Sequence, residues 1–163
     1  MKSLANLGGG FAILLALSPP AFAAEPLAKT GSAKLAAAMV CRSLGRVDME
    51  AAGSQSSAEC AGVVRSADGA KPLDNMAIRC LEEARTRADG YRFFGTCVQT
   101  DADGDKLFMT YEGPESGPAA WIGGSGKYKG VAATGEWTVA DAPGNTDSLF
   151  AFTLSYTANW TVK

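Results

Sequence analysis

The acid–base chemistry open to this chain depends on carboxylates, tyrosines, lysines and arginines, because the sequence contains no histidine. Without imidazole, Ser-His-Asp catalysis, Cys-His catalysis and histidine-ligated metal sites are excluded. A carboxylate can still transfer protons when burial raises its pKa toward neutrality, and a tyrosine can assist it. The candidates for this role are Glu112, Glu136 and Tyr111, followed by Glu83. The sequence assigns none of them as catalytic.

The acidic run Asp-Ala-Asp-Gly-Asp at residues 101–105 has the residue types of a calcium-binding loop. Its aspartates occupy positions 1, 3 and 5 of an EF-hand pattern, and Glu112 occupies position 12. Position 6, where a sharp turn requires glycine, is Lys106, and the residues after it alternate like a strand. The competing interpretation is a β-hairpin that turns at Asp103-Gly104, since glycine tolerates a positive φ. We favour the hairpin and predict no metal site.

The hairpin interpretation determines which side chains share a face. With Asp103-Gly104 as the turn, Val98 lies opposite Met109, and Thr100 lies opposite Leu107. Side chains of a strand alternate between two faces, so the more apolar set is expected in the core. The members of that set are Phe94, Val98, Leu107, Met109 and Tyr111. Cys97 and Gln99 are then expected on the outer face.

The cysteines Cys41, Cys60, Cys80 and Cys97 predict two disulfides, for which three pairings exist. A turn near residues 88–90 would bring Cys80 close to Cys97, so we prefer this pair, and Cys41–Cys60 follows by elimination. No C-x-x-C spacing supports a zinc or redox site. The strand that carries Cys80 also holds several charged residues, expected on a solvated outer face unless one is paired inside. They are Arg79, Glu82, Glu83, Arg85 and Arg87.

Residues 1–24 have the pattern of a secretory signal peptide. Lys2 precedes a short apolar run at residues 11–17, and Ala21-Phe22-Ala23 fits the cleavage pattern. The apolar run is shorter than the roughly 20 residues that a membrane span needs. We therefore predict a periplasmic or secreted protein without a membrane span. A net charge of −2 indicates no nucleic-acid partner.

The elements that would position these residues are mostly short strands. Residues 25–34 are small and polar, which predicts a flexible arm, and residues 35–44 fit either a short helix or a first strand. Gly, Pro, Asp or Asn separates nearly all the other strand candidates, which predicts one all-β antiparallel barrel of about eight strands over residues 35–163. These candidates are residues 59–66, 76–87, 91–100, 106–112, 119–122, 127–131, 134–140 and 148–158.

A glycine-rich run, Gly-Gly-Ser-Gly-Lys-Tyr-Lys-Gly, occupies residues 123–130. Its spacing does not match a phosphate-binding loop, and no helix pattern follows it, so we expect a turn into a strand. Together with the segment from Cys80 to Lys106, this run resembles exported bacterial proteins of unassigned activity. It also resembles the hairpin of allene-oxide-cyclase-like and dirigent-like barrels. The resemblance implies an eight-stranded, calycin-like barrel with a small central cavity, which holds oxidised lipids or phenolic radicals in the plant relatives.

Three functions fit this chain: ligand binding, a cyclase or isomerase activity, and a structural or interaction role. A barrel of about eight strands can enclose one small ligand, and we favour the binding of a small hydrophobic molecule. The aromatic-rich inward set consists of Phe94, Met109, Tyr111, Trp121, Trp137 and Phe152. No cofactor is predicted. The sequence does not indicate the ligand's identity or the oligomeric state.

Overall fold

The computed structural model describes residues 26–69 and 71–163, which form eight antiparallel strands closed into a barrel in chain order. The strands are β1 (Thr30–Asp48), β2 (Ser54–Ser66), β3 (Met76–Arg87), β4 (Gly90–Thr100), β5 (Lys106–Gly113), β6 (Ser116–Gly124), β7 (Val131–Asp141) and β8 (Leu149–Val162). Two 3-10 turns, Glu50–Ala52 and Gly126–Tyr128, lie between strands. The predicted all-β barrel is confirmed. The predicted signal peptide lies outside the described residues.

Strand β1 settles one open prediction for the N-terminal region and corrects another. Residues 35–44 are strand and not a short helix, because β1 pairs with β2 along one edge and with β8 along the other. Its buried side chains follow a period of two from Ala33 through Leu35, Ala37, Met39 and Cys41. The flexible-arm prediction is wrong for residues 30–34, which already belong to this strand. Among the described residues, no helix is long and apolar enough to cross a membrane.

The β4–β5 hairpin differs from its predicted register by one residue. Cys97 pairs with Met109, and Thr100 pairs with Lys106, so the connecting loop spans residues 101–105. A carboxylate oxygen of Asp101 accepts hydrogen bonds from the backbone N–H groups of Asp103 and Asp105 at 2.9 and 3.0 Å, and these bonds hold the longer loop. Because a one-residue slip exchanges the two faces of a strand, β4 is reversed relative to the prediction.

Because of this reversal, a cysteine and a glutamine lie inside the barrel, and two apolar residues that were predicted inside lie on its outer side. Cys97 and Gln99 are buried, whereas Val98 is 37% exposed and Phe94 is half-buried on the outer side. The assignment of Phe94 and Val98 to the core is therefore wrong. The assignment of Leu107, Met109 and Tyr111 is correct, because all three are buried on β5.

The four cysteines form one row across the inside of β1, β2, β3 and β4. Cys41 lies opposite Cys60, Cys60 opposite Cys80, and Cys80 opposite Cys97. The disulfides are Cys41–Cys60 and Cys80–Cys97, which is the predicted pairing. All four residues are at most 1% exposed. The disulfides therefore cross-link neighbouring strands from within the core, and the expected outer position of Cys97 is wrong.

Side chains fill one end of the barrel, which we call the closed end: the end with Thr30, the 101–105 loop and the Gly126–Tyr128 turn. Trp121 stacks on Trp160 with ring centroids 5.7 Å apart, and Tyr128 is fully buried. Buried Gln99 accepts a hydrogen bond from the Tyr156 hydroxyl at 3.0 Å. The predicted cavity is thus absent from this half of the described barrel. The other end, where the β3–β4 and β7–β8 connections lie, is called the open end.

Candidate functional site

The candidate site is built around Glu82, a buried carboxylate on the inner face of β3. The alternation that buries Met76, Ile78 and Cys80 continues one step toward the open end, and it places Glu82 inside at 2% exposure. The prediction of an outer face is correct for Glu83 and Arg85 but wrong for Glu82. The signal was present in the sequence, because Glu82 follows three even-numbered apolar positions.

One oxygen of Glu82 is hydrogen-bonded and the other is not. The Tyr111 hydroxyl donates to Oε1 of Glu82, and Oε2 has no partner among the described residues. Burial raises the pKa of Glu82 to about 7, and the hydrogen bond from Tyr111 only partly opposes this rise. Burial and the neighbouring carboxylate raise the pKa of Tyr111. The phenol therefore remains a hydrogen-bond donor, while Glu82 changes its charge near neutral pH.

A glycine on β4 allows Tyr111 to reach Glu82. Gly95 lies opposite Glu82 on one side and opposite Tyr111 on the other, so the three residues form a row across β3, β4 and β5. A Cβ atom at Gly95 would lie 2.2 Å from Cζ of Tyr111. The tyrosine ring therefore lies over the Cα atom of Gly95, in the space that a side chain at this position would occupy. Trp137 packs on the same ring, with centroids 5.0 Å apart, and fixes its position.

Glu82 lies on the wall of a cavity of about 220 Å³ at the open end. A second space of about 490 Å³ adjoins it toward the rim, and the two share Ser56, Ala84, Phe93 and Phe150. Small-molecule sites typically measure roughly 300–1,000 Å³. The two spaces together are thus large enough for a small ligand. The other residues that line the inner cavity are Ser43, Arg46, Ser57, Ala58 and Asp147.

The structure brings only part of the predicted ligand-binding set to this end. Tyr111 binds Glu82, and Phe152 lines the outer space. Met109 and Trp137 are fully buried in the core, and Trp121 is at the closed end. Phe94 lies on the outer side of β4, where the Arg85 guanidinium stands 5.0 Å from its ring centroid. A ligand-binding role for Tyr111 and Phe152 remains a prediction.

The predicted acid–base candidates are also divided between the outer surface and the interior of the barrel. Glu83, Glu112 and Glu136 are exposed, so they do not point into the barrel. Tyr111 is the candidate that lies inside, and its hydrogen-bond partner is Glu82, which was not among the predicted acid–base candidates. The group of Cys80, Glu82 and Cys97 has a metal-like spacing, but both sulfurs belong to a disulfide and neither is a thiolate.

At the closed end, the acidic 101–105 loop encloses a lysine side chain. The Lys127 ammonium lies 2.9 Å from Asp101 and 2.6 Å from Asp103, and its side chain is only 6% exposed. Burial would raise the pKa of Asp101, but hydrogen bonds from Lys127, Tyr128 and two backbone N–H groups lower it overall. The carboxylates that resemble calcium ligands are thus engaged with the protein's own cation.

The glycine-rich run positions this lysine. Residues 126–128 form a 3-10 turn and not the start of the strand predicted at 127–131, since β7 begins at Val131. Gly126 has φ of 55°, and a Cβ atom there would lie 1.8 Å from the Asp105 carboxylate. That carboxylate accepts a hydrogen bond from the Lys127 backbone N–H at 3.0 Å. Glycine therefore permits the two loops to approach closely.

Replacing Lys127 with methionine should destabilise the barrel by about 2 kcal/mol, because the nearly buried Asp101 loses its cation while the apolar stem is kept. Urea unfolding monitored by tryptophan fluorescence would measure the loss. Lys129→Met, at an exposed lysine two residues away, is the matched control. Equal stability of the two variants would show that the lysine–aspartate cluster does not stabilise the fold.

Comparisons with known proteins identify the fold but not a sequence family. No protein-family model matches the chain, and no curated protein matches it. Among solved structures, the barrel is similar to a pterocarpan synthase dirigent protein, with a TM-score of 0.52 and 8% sequence identity. The match covers 83% of this chain and 93% of the other. The chain therefore has a dirigent-like, closed eight-stranded barrel, as the resemblance implied, and identity this low shows the fold alone.

Proposed function

We propose that this protein is an exported dirigent-like barrel that binds a small molecule at its open end, in contact with Glu82. The supporting observation is the unpartnered Oε2 of a carboxylate that is only 2% exposed and that lines a cavity. Leaving a buried polar atom without a partner costs stability, so such atoms in native proteins are usually occupied by water or a ligand. A ligand with a polar group would supply that partner.

The walls of the site favour a molecule with an apolar body. Phe93 and Phe150 line both spaces, and Phe152 lines the outer one. The inner cavity of about 220 Å³ is smaller than the roughly 300 Å³ of a typical small-molecule site, so a ligand that reaches Glu82 would also extend into the outer space. The expected small hydrophobic ligand is thus refined to an amphipathic one, with its polar group at Glu82 and its apolar part toward the rim.

A periplasmic or secreted location is part of this proposal. The two disulfides are typical of proteins that fold in an oxidising compartment, and they agree with the signal peptide predicted at residues 1–24. Substrates or ligands would then come from the cell envelope or the surroundings and not from the cytoplasm.

Proton-transfer catalysis, as in a cyclase or isomerase, is the second candidate function. It is favoured by the contact between Glu82, whose pKa is raised to about 7, and the Tyr111 hydroxyl. A general acid or base works best when its pKa lies near the working pH. Recovery of a bound compound in rearranged form would favour catalysis, and recovery of the compound unchanged would favour binding.

Filling the open end provides the test of the proposed function. Ala84 lines both spaces, so Ala84→Trp should block them without altering Glu82. Small aromatic compounds, observed by amide NMR shifts, should perturb residues around Ser56 and Phe93 in the wild type and lose this effect in the variant. Ala77→Trp, on the exposed face of the same strand, is the control and should bind normally. Shifts that persist in Ala84→Trp would place binding elsewhere.

A further inference from the structure

The open end carries an excess of negative charge around an aromatic wall. Besides Glu82, the acids lining its two spaces are Asp147, Glu115 and Asp141. Arg46 is the single basic residue among the described residues that line these spaces. Its guanidinium lies 3.9 Å from the carboxylate of Asp48, which offsets part of its charge. A cleft lined by one sign of charge concentrates counter-ions of the opposite sign. The rim therefore attracts cations and repels anions.

The aromatic side chains of the site add a second preference for cations. Phe150 and Phe152 stack with centroids 6.3 Å apart, and Phe93 meets Phe152 edge-on at 6.3 Å. Tyr91 also lines the outer space. Burial first, and then the charges of Asp141, Glu115 and Glu82, raise its pKa, because this tyrosine lies near these acids. Aromatic faces attract organic cations within about 6 Å.

On the basis of the proposed binding function, we propose that the ligand is a small organic amine, bound as its protonated cation with the ammonium group at Oε2 of Glu82. The ammonium would supply the hydrogen bond that this buried oxygen lacks. The apolar body would then lie between Phe93 and Phe150. A neutral alcohol could donate one hydrogen bond but would not neutralise the carboxylate. An organic acid would meet the carboxylates of Glu115 and Asp141 in the outer space and those of Glu82 and Asp147 in the inner cavity.

The pH dependence of binding follows from the groups around Glu82. Tyr111 on β5 donates a hydrogen bond to Glu82, and the charge of Glu82 raises the pKa of Tyr91 on β4. Arg46 and Asp147 line the same cavity. The Cys80–Cys97 disulfide beside Glu82 does not titrate. Glu82 with a pKa of about 7 is mostly protonated near pH 6 and mostly ionised near pH 8. An alkylamine remains protonated throughout this range, so affinity should rise about tenfold from pH 6 to pH 8.

Isothermal titration calorimetry with three probes of similar shape tests this inference: phenethylamine, 2-phenylethanol and phenylacetate. At pH 8 the amine should bind at least about tenfold more tightly than the alcohol, and phenylacetate should bind most weakly. Glu82→Gln should lose both the preference for the amine and its pH dependence. Glu83→Gln, on the outer face of the same strand, is the matched control and should keep both.

The possible failures of this experiment have different meanings. If the alcohol or phenylacetate binds as tightly as the amine, or if Glu82→Gln keeps the preference for the amine, the inference of a cationic ligand is overturned while small-molecule binding stands. If none of the three probes binds and none shifts the amide NMR signals around Ser56 and Phe93, the proposed binding function is overturned as well, and this inference with it.

Discussion

Glu82→Gln is expected to remove most of the pH dependence of stability in this barrel. In the wild type, the free energy of unfolding should fall by about 3 kcal/mol between about pH 4.5 and pH 7, and in the variant this fall should be absent. The pKa of Glu82 is about 7 in the folded chain, against 4.5 for an unperturbed glutamate. Between these values the folded state holds a proton that the unfolded state has lost, so stability falls as pH rises. Each pH unit in this window contributes about 1.4 kcal/mol.

Urea unfolding at about pH 4.5, 6 and 8 measures this effect as the difference between wild type and variant. Glutamine cannot ionise, so Glu82→Gln should gain stability relative to wild type as pH rises. Glu83→Gln is the control: its side chain is exposed on the outer face, and its stability should follow the wild type at every pH. Parallel curves for the wild type and Glu82→Gln would contradict a buried carboxylate at the open end. Because an ionised carboxylate at this buried position lowers the stability of the fold, its presence supports a functional role for Glu82.

Removing the Cys80–Cys97 disulfide with the double substitution Cys80→Ala and Cys97→Ala should lower the free energy of unfolding by about 3 kcal/mol. The bond joins residues 17 apart in sequence, and its loss increases the conformational entropy of the unfolded chain. Denaturant titration of the purified double variant, compared with wild type at one pH, measures the loss.

The second disulfide provides the comparison for this prediction. Cys41 and Cys60 are separated by 19 residues, so their double alanine variant should lose nearly the same stability. Both bonds join neighbouring strands from inside the barrel and are equally buried. A loss confined to one pair would show that side-chain packing, and not chain entropy, determines the contribution of these bonds.

The barrel itself could be predicted from the sequence because period-two alternation survives in almost every strand. The predicted boundaries of β3, residues 76–87, agree with the structure, and Phe152 on β8, which is predicted to point inward, is buried. The first strand remained ambiguous because its inner face carries Ala33 and Ala37, whose small side chains fit either a helix or a strand. The pairing of β1 with both neighbours resolves this ambiguity, and such long-range contacts leave no local signal.

The register of the β4–β5 hairpin could not be predicted from turn propensity. Asp103-Gly104 has the composition of a two-residue turn, but the Asp101 carboxylate binds two backbone N–H groups and holds a five-residue loop. Lys127 also binds this loop from a turn 24 residues beyond Asp103, an interaction that only the closed barrel creates. The missed register placed Phe94 inside and Cys97 outside, and it led the predicted site away from the open end.

Glu82 was missed for a different reason. A single charged residue on a strand is usually solvent-exposed, and its neighbours Glu83 and Arg85 are indeed exposed and paired at 3.1 Å. Strict alternation from Ile78 and Cys80 places Glu82 inside, and the structure follows the alternation. A charged residue in phase with buried apolar residues is therefore a useful signal for a site, because burying it costs stability that a purely structural position would avoid.

The titration of the Glu82 side chain by carbon-13 NMR tests the central claim most directly. The carboxyl signal can be assigned by its absence from the spectrum of Glu82→Gln. The structure predicts a midpoint near pH 7 for the free protein and a lower midpoint when phenethylamine is added, since a bound cation favours the ionised carboxylate. A midpoint near 4.5 that phenethylamine does not move would show that Glu82 is solvated and that the open end is not a binding site.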